Sequence, residues 1–117
     1  MPRTTDIKFT VHLDDNKIPE KIEWEATDAG FTGKKETKTL FVSLWDKGES
    51  STLAIDLWSK EMTVDEMNIH FHQIFLKLAD TYKRSTNNSE AALMIEEFSA
   101  DFAEKLNLKQ KVNKREL

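Results

Sequence analysis

The sequence predicts an α+β domain: a four-stranded antiparallel sheet made of two hairpins, followed by two C-terminal helices, in the order β-β-β-β-α-α. Three observations lead there. Apolar residues alternate with polar ones in two successive pairs of segments before Lys60, the period of a half-buried strand. Between Lys60 and Thr63 the period changes once, from Leu53, Ile55 and Leu57 to a stripe through Met67, Phe71, Ile74, Phe75, Leu78 and Tyr82. A second helical stripe, Ala91, Met94, Ile95, Phe98, Phe102 and Leu106, then closes the patterned part of the chain. Strands gathered before helices are the mark of an α+β arrangement, and a helix turned back on the sheet is the expected way to bury both apolar sides.

The first strand is read from Ile7, Phe9, Val11 and Leu13, with Lys8, Thr10 and His12 between them. Asp14-Asp15-Asn16-Lys17 turns the chain, and Ile22, Trp24 and Ala26 carry the second strand, with Pro19 expected at its start because it lacks a ladder donor. Thr27 to Lys38, holding Gly30, Gly33 and three lysines, is expected to be the longest and most mobile loop. Thr39 to Trp45 and Thr52 to Trp58 form the second hairpin around Asp46-Lys47-Gly48-Glu49. The first helix has a complete start signal. Thr63 is placed to cap it, Glu66 to close a capping box, and Met62 with Met67 to form a hydrophobic staple. Lys83 and Arg84 suit its negative end, and Asn87-Asn88-Ser89 separates it from the second helix.

At 117 residues the chain is expected to be one domain, residues 1–108, with a basic tail, 109–117, that is frayed and solvated. The tail carries +3 of a net charge of −4, leaving −7 on the rest, which disfavours non-specific binding to a phosphate backbone. With no cysteine, disulfides, thiolate metal sites and cysteine nucleophiles are excluded. The absence of an apolar leader or a long apolar run makes a soluble, cytoplasmic protein with no membrane insertion the expectation.

Three segments go beyond generic patterning. IPEKIEWEATDAG (Ile18 to Gly30), LAIDLWSKEMTVDEMNIHFHQIFLKLADTYKRST (Leu53 to Thr86) and FSADFAEKLNL (Phe98 to Leu108) together resemble the gliding-motility-associated protein GldC family of gliding bacteria. The loop Phe31 to Lys38 and the basic tail share little of the likeness. The resemblance implies a small soluble accessory component acting beside the motility and secretion apparatus, with no established enzymatic activity. It brings no catalytic residues to carry over.

The residues themselves favour no chemistry. His70 and His72, two apart on a helix, point about 200° away from each other and cannot grip one ion as an i, i+4 pair does. His70, one turn from Glu66, is read as a helix-surface partner, and His12 as a residue on the polar face of a strand. Gly30-Phe31-Thr32-Gly33-Lys34-Lys35 contains the G-x-x-G with which KH domains clamp nucleic acid, but in that fold the motif joins two helices, whereas here it joins two strands. Ser43, Ser59, Asp56 and Asp65 lack an elbow motif or a convergent partner. The expectation is therefore no enzyme, no metal and no cofactor.

The informative anomaly is aromatic. If Leu40, Val42, Leu44, Leu53, Ile55 and Leu57 face the helices, alternation puts Phe41, Trp45, Ala54 and Trp58 on the opposite face of the second hairpin. Three explanations fit that face: the chain's own second helix or tail crosses it or the strand faces are reversed, a second copy covers it in a homo-oligomer, or another protein or extended peptide docks there. The residues chosen as partner-binding or oligomer interface are Phe41, Trp45 and Trp58, with Trp24 and Tyr82 assigned to packing. Element order alone is also similar to the export chaperone SecB. A peptide-binding chaperone and a weak nucleic-acid-binding module, using the Gly30 to Lys35 loop and the tail, are the alternatives to a protein-contact accessory factor.

Overall fold

A computed structural model describes residues 2–108; the basic tail expected over 109–117 lies outside the described residues. Five strands precede two helices: β1 (Ile7–Leu13), β2 (Pro19–Ala26), β3 (Lys35–Thr37), β4 (Thr39–Asp46), β5 (Ser51–Trp58), α1 (Val64–Thr86) and α2 (Ser89–Lys105). The α+β class and the antiparallel pairing are as the sequence predicts. The strands, however, form a three-stranded sheet, β1-β2-β3, and a two-stranded sheet, β4-β5, rather than one four-stranded sheet. The chain divides into two compact units between Met62 and Thr63, the strands in one and the helices in the other.

In the strand unit, β1 and β2 pair with Phe9 opposite Trp24 and Val11 opposite Ile22, so the alternating apolar residues of both strands share one face. Ile22 is fully buried there, and Pro19 opens β2 where its missing donor costs no ladder bond. Asp14 builds the turn, its Oδ1 accepting from the backbone N–H of Asn16 at 2.7 Å and of Ile18 at 3.0 Å, while Lys17 takes a left-handed φ of 63°. A bulge between His12 and Leu13 absorbs the irregularity.

β3 lies within the segment read from sequence as loop. Lys35 to Thr37 takes up the outer edge of β2, with Ile22 opposite Thr37 and Trp24 opposite Lys35. Thr37 Oγ1 then donates to the Thr39 carbonyl at 3.0 Å, marking the break at Lys38 after which the chain pairs with β5 instead. This is why the sheet divides. One nearly continuous stretch, Lys35 to Asp46, supplies one sheet with its first three residues and the other with its last eight.

The Lys60 ammonium forms an ion pair with Asp14, tying the β1–β2 turn to the segment after β5. The Lys60 hydrogen bond, with those from Ile18 and Asn16, holds the Asp14 carboxyl below its usual 3.8, and Asp14 in turn raises Lys60 above 10.5. A depressed acid stabilises the fold above its unfolded pKa, and that contribution disappears as pH falls through the folded value. The melting-temperature difference between wild type and Lys60→Met should therefore be constant near neutrality and shrink to nothing as pH falls below 3.8. A thermal-melt series from pH 7 to 2 reads it, and a difference that persisted at pH 2 would remove the pair as its source.

In the helical unit, Thr63 caps α1 as expected. Its Oγ1 accepts from the Glu66 N–H and Glu66 Oε1 accepts from the Thr63 N–H, both at 3.0 Å, an arrangement whose removal costs about 0.5–2 kcal/mol. Asn87, left-handed at φ 60°, ends α1 by donating its N–H to the Lys83 carbonyl. Asn88 caps α2, its Oδ1 accepting from the Ala91 N–H at 3.0 Å, so only two residues separate the helices. The deepest positions are small or polar: His72 and Ala79 on α1; Ala92, Ser99 and Ala103 on α2. They run beside the predicted apolar stripes rather than within them. Phe75, Phe98 and Phe102 form an aromatic cluster between the helices, with Phe75 5.2 Å from Phe98 and 5.1 Å from Phe102, centroid to centroid.

Candidate protein-contact surface

The β4–β5 ribbon carries every residue singled out from sequence as a contact site. Its register is unbroken: Thr39 lies opposite Trp58, Phe41 opposite Asp56, Ser43 opposite Ala54 and Trp45 opposite Thr52. Those eight side chains make one face, and the pairs Leu40–Leu57, Val42–Ile55 and Leu44–Leu53 make the other. Phe41, Trp45 and Trp58 are 50%, 68% and 57% exposed. The aliphatic face, read from sequence as the buried one, is also open: Leu40 is buried and Val42 and Leu57 are partly so, but Leu44, Leu53 and Ile55 are each about half exposed. Burial along this face therefore falls away from the end nearest β3 towards the turn.

A two-stranded ribbon with apolar side chains on both faces is marginal in water by itself. The Asp46 carboxylate stiffens its turn, Oδ2 accepting from the Glu49 N–H at 2.7 Å, and Ser50 completes the turn in a left-handed conformation. At the other end Thr39 Oγ1 donates to the Leu57 carbonyl at 2.7 Å. These bonds pin both ends of the ribbon and leave its faces open.

The remaining candidates occupy ordinary structural positions. Trp24 packs edge-on against Phe31, 5.3 Å between centroids, and this contact anchors the β2–β3 loop. The same loop's cations are engaged within their own unit: Lys35 stands over the Phe31 ring at 5.4 Å, and Lys34 Nζ lies 4.0 Å from Glu23. Gly30 and Gly33 both sit at φ 86°, where a side chain would be strained, so the turn itself accounts for the two glycines. His12 donates from Nε2 to Glu23 at 2.8 Å. That bond, aided by Lys21 and Lys34, lowers the Glu23 pKa. His70 meets the edge of Phe71, and Tyr82 is partly buried. Among the described residues no three His, Asp or Glu side chains stand where they could hold a metal ion, and no helix is long and apolar enough to cross a membrane.

The model of the family described as gliding motility-associated protein GldC-like matches residues 19–108, well over half of the chain. The chain belongs to the GldC-like family. Neither a curated protein nor a solved structure matches it. The GldC-like match covers β2 to α2 and so contains the whole β4–β5 ribbon and the helical unit, while β1 lies before it. Membership of a gliding-motility-associated family agrees with the resemblance drawn from the sequence segments.

Proposed function

We propose that the chain is a non-enzymatic, cytoplasmic accessory factor of bacterial gliding. In this reading it works as a homo-oligomer through protein–protein contacts with the motility and secretion machinery, and β4–β5 is its contact surface. The observation that carries the reading is the exposure of Phe41, Trp45 and Trp58 on one face of a regular ribbon. Aromatic side chains of this kind are the usual anchors of protein interfaces, because they remove much apolar area from water at little conformational cost.

The test is a Trp45→Ser, Trp58→Ser double variant placed in a gliding cell. Helix content and melting temperature should stay close to wild type, because both rings are more than half exposed. Retention of motility and secretion proteins on the tagged chain, and gliding itself, should be lost. Unchanged gliding and unchanged retention would overturn the reading, and global unfolding would place the rings in the core instead.

A peptide-binding chaperone is the second reading, favoured by the openness of both faces of the same ribbon. It requires that a reduced, unfolded client shift the tryptophan fluorescence and be retained on a column of the protein. Selective retention of native motility proteins counts against it.

A further inference from the structure

We propose that β4 pairs in antiparallel fashion with β4 of a second copy of this chain, across a two-fold axis at Ser43, joining two ribbons into one four-stranded sheet. The inference rests on the reading of β4–β5 as the contact surface and names its first occupant.

The backbone directions follow from the ladder. The Ser59 N–H donates to the Lys38 carbonyl at 2.8 Å, and the register from Thr39 to Asp46 has no bulge. In an antiparallel pair, inward and outward bonding residues alternate. Leu40, Val42 and Leu44 therefore bond to β5, and Phe41, Ser43 and Trp45 direct their N–H and C=O groups to the outer edge of β4. That edge has no ladder partner among the described residues.

Among the sheet edges it is also the one without protection. Natural edges are blunted by charges, proline, bulges or shortness. β1 has Lys8, His12 and a bulge, β3 has only three residues, and β5 directs Asp56 outward from its middle. β4 from Thr39 to Trp45 has no charge, no proline and no bulge over seven residues. An undefended edge in a chain of net charge −4 is what a deliberate pairing surface requires.

The sequence of β4 is self-complementary about Ser43. Antiparallel pairing there sets Ser43 against Ser43 of the second copy and Phe41 against its Trp45, all groups whose backbone bonds point outward. Small side chains meet on the axis, flanked by two aromatic pairs of the kind that stabilise cross-strand contacts. The exposed parts of Phe41, Trp45 and Trp58, at roughly 150–250 Å² per ring system, leave on the order of 300–400 Å² open on one face. Edge pairing covers only the parts of Phe41 and Trp45 that meet across the axis and leaves the rest of both faces open. The two aromatic faces become continuous across the axis, which gives a further partner one platform.

Two substitutions separate this geometry from other associations. Ser43→Pro removes an outward N–H and leaves the bonds to β5 intact, so the hairpin is retained and the pairing is lost. Ser43→Cys introduces a thiol into a chain that has none. Across a hydrogen-bonded pair the two Cα atoms lie about 5.5 Å apart, inside the range a disulfide spans. Light scattering should give twice 13.6 kDa for wild type and 13.6 kDa for Ser43→Pro, and mild oxidation should convert Ser43→Cys to a covalent dimer while Ala54→Cys, on the outer edge of β5, stays uncrosslinked. A wild-type mass of 13.6 kDa, as expected if the chain's own helices or a foreign peptide take this edge, would overturn the proposal. So would a dimer that Ser43→Pro leaves intact and Ser43→Cys does not lock. A wild-type monomer that still retains motility proteins overturns the pairing and the homo-oligomer but leaves the contact with the motility machinery standing. A dimer that retains none overturns the accessory reading alone.

Discussion

Ile22→Ala should be the most damaging single truncation in the strand unit, lowering stability by about 2–5 kcal/mol. Ile22 is fully buried and stands in the central strand, opposite Val11 of β1 on one side and Thr37 of β3 on the other. Neither neighbour can move into the space without breaking a ladder, so both the transferred area and the residual cavity count against the variant. Set against the ~5–15 kcal/mol total typical of a domain, the loss is large enough to populate unfolded chain at ambient temperature. Urea denaturation should show the midpoint falling with the slope unchanged. A shift below half a kcal/mol would mean that β1-β2-β3 collapses around the gap and is far looser than its register implies.

Ser99→Leu should produce the second large effect, in the helical unit, costing about 1–3 kcal/mol by overpacking. Ser99 is fully buried, and its neighbours in depth are alanines: Ala92 two turns before it and Ala103 one turn after. That stripe of small residues has room for a hydroxymethyl group and little more. The paired substitution Ser99→Ala distinguishes volume from polarity. The Ser99 hydroxyl finds no hydrogen-bond partner among the described residues, and removing a buried, unsatisfied hydroxyl is neutral or stabilising. Thermal melts should therefore move in opposite directions, or move only for leucine. If alanine were as costly as leucine, the hydroxyl would be doing work that its surroundings do not show.

The strands and helices whose signal is periodic were legible from sequence to within one or two residues. Alternation located β1, β2, β4 and β5, and Thr63 with Glu66 marked the start of α1. β3 was not legible, because Lys35-Glu36-Thr37 has no apolar alternation and owes its extended form to the edge of β2. Nor does periodicity say which strands share a sheet, so the division into two sheets is not legible in it. The deep stripe through Ala79, Ala92, Ser99 and Ala103 is illegible for a similar reason. Small side chains carry little hydropathy, and the large residues beside them drew the reading one position around each helix, towards Phe71, Met94 and Phe98, which are 40%, 70% and 55% exposed. For the candidate site, alternation was enough to place Phe41, Trp45 and Trp58 on one face. It could not show that Leu44, Leu53 and Ile55 on the other face are open too, because exposure depends on what lies across from a strand and not on the strand's own pattern.

In both sheets every strand neighbours the strand next to it in sequence, with no crossover, and the helices meet through a two-residue turn. Each ladder partner, and the helix pair, is thus only a short stretch of chain away, so little loop-closure entropy must be spent before those contacts form. Within each unit, hairpins and the helix pair can form from neighbouring segments. The β4–β5 ribbon, whose strands are joined by a four-residue turn, can assemble from local contacts alone.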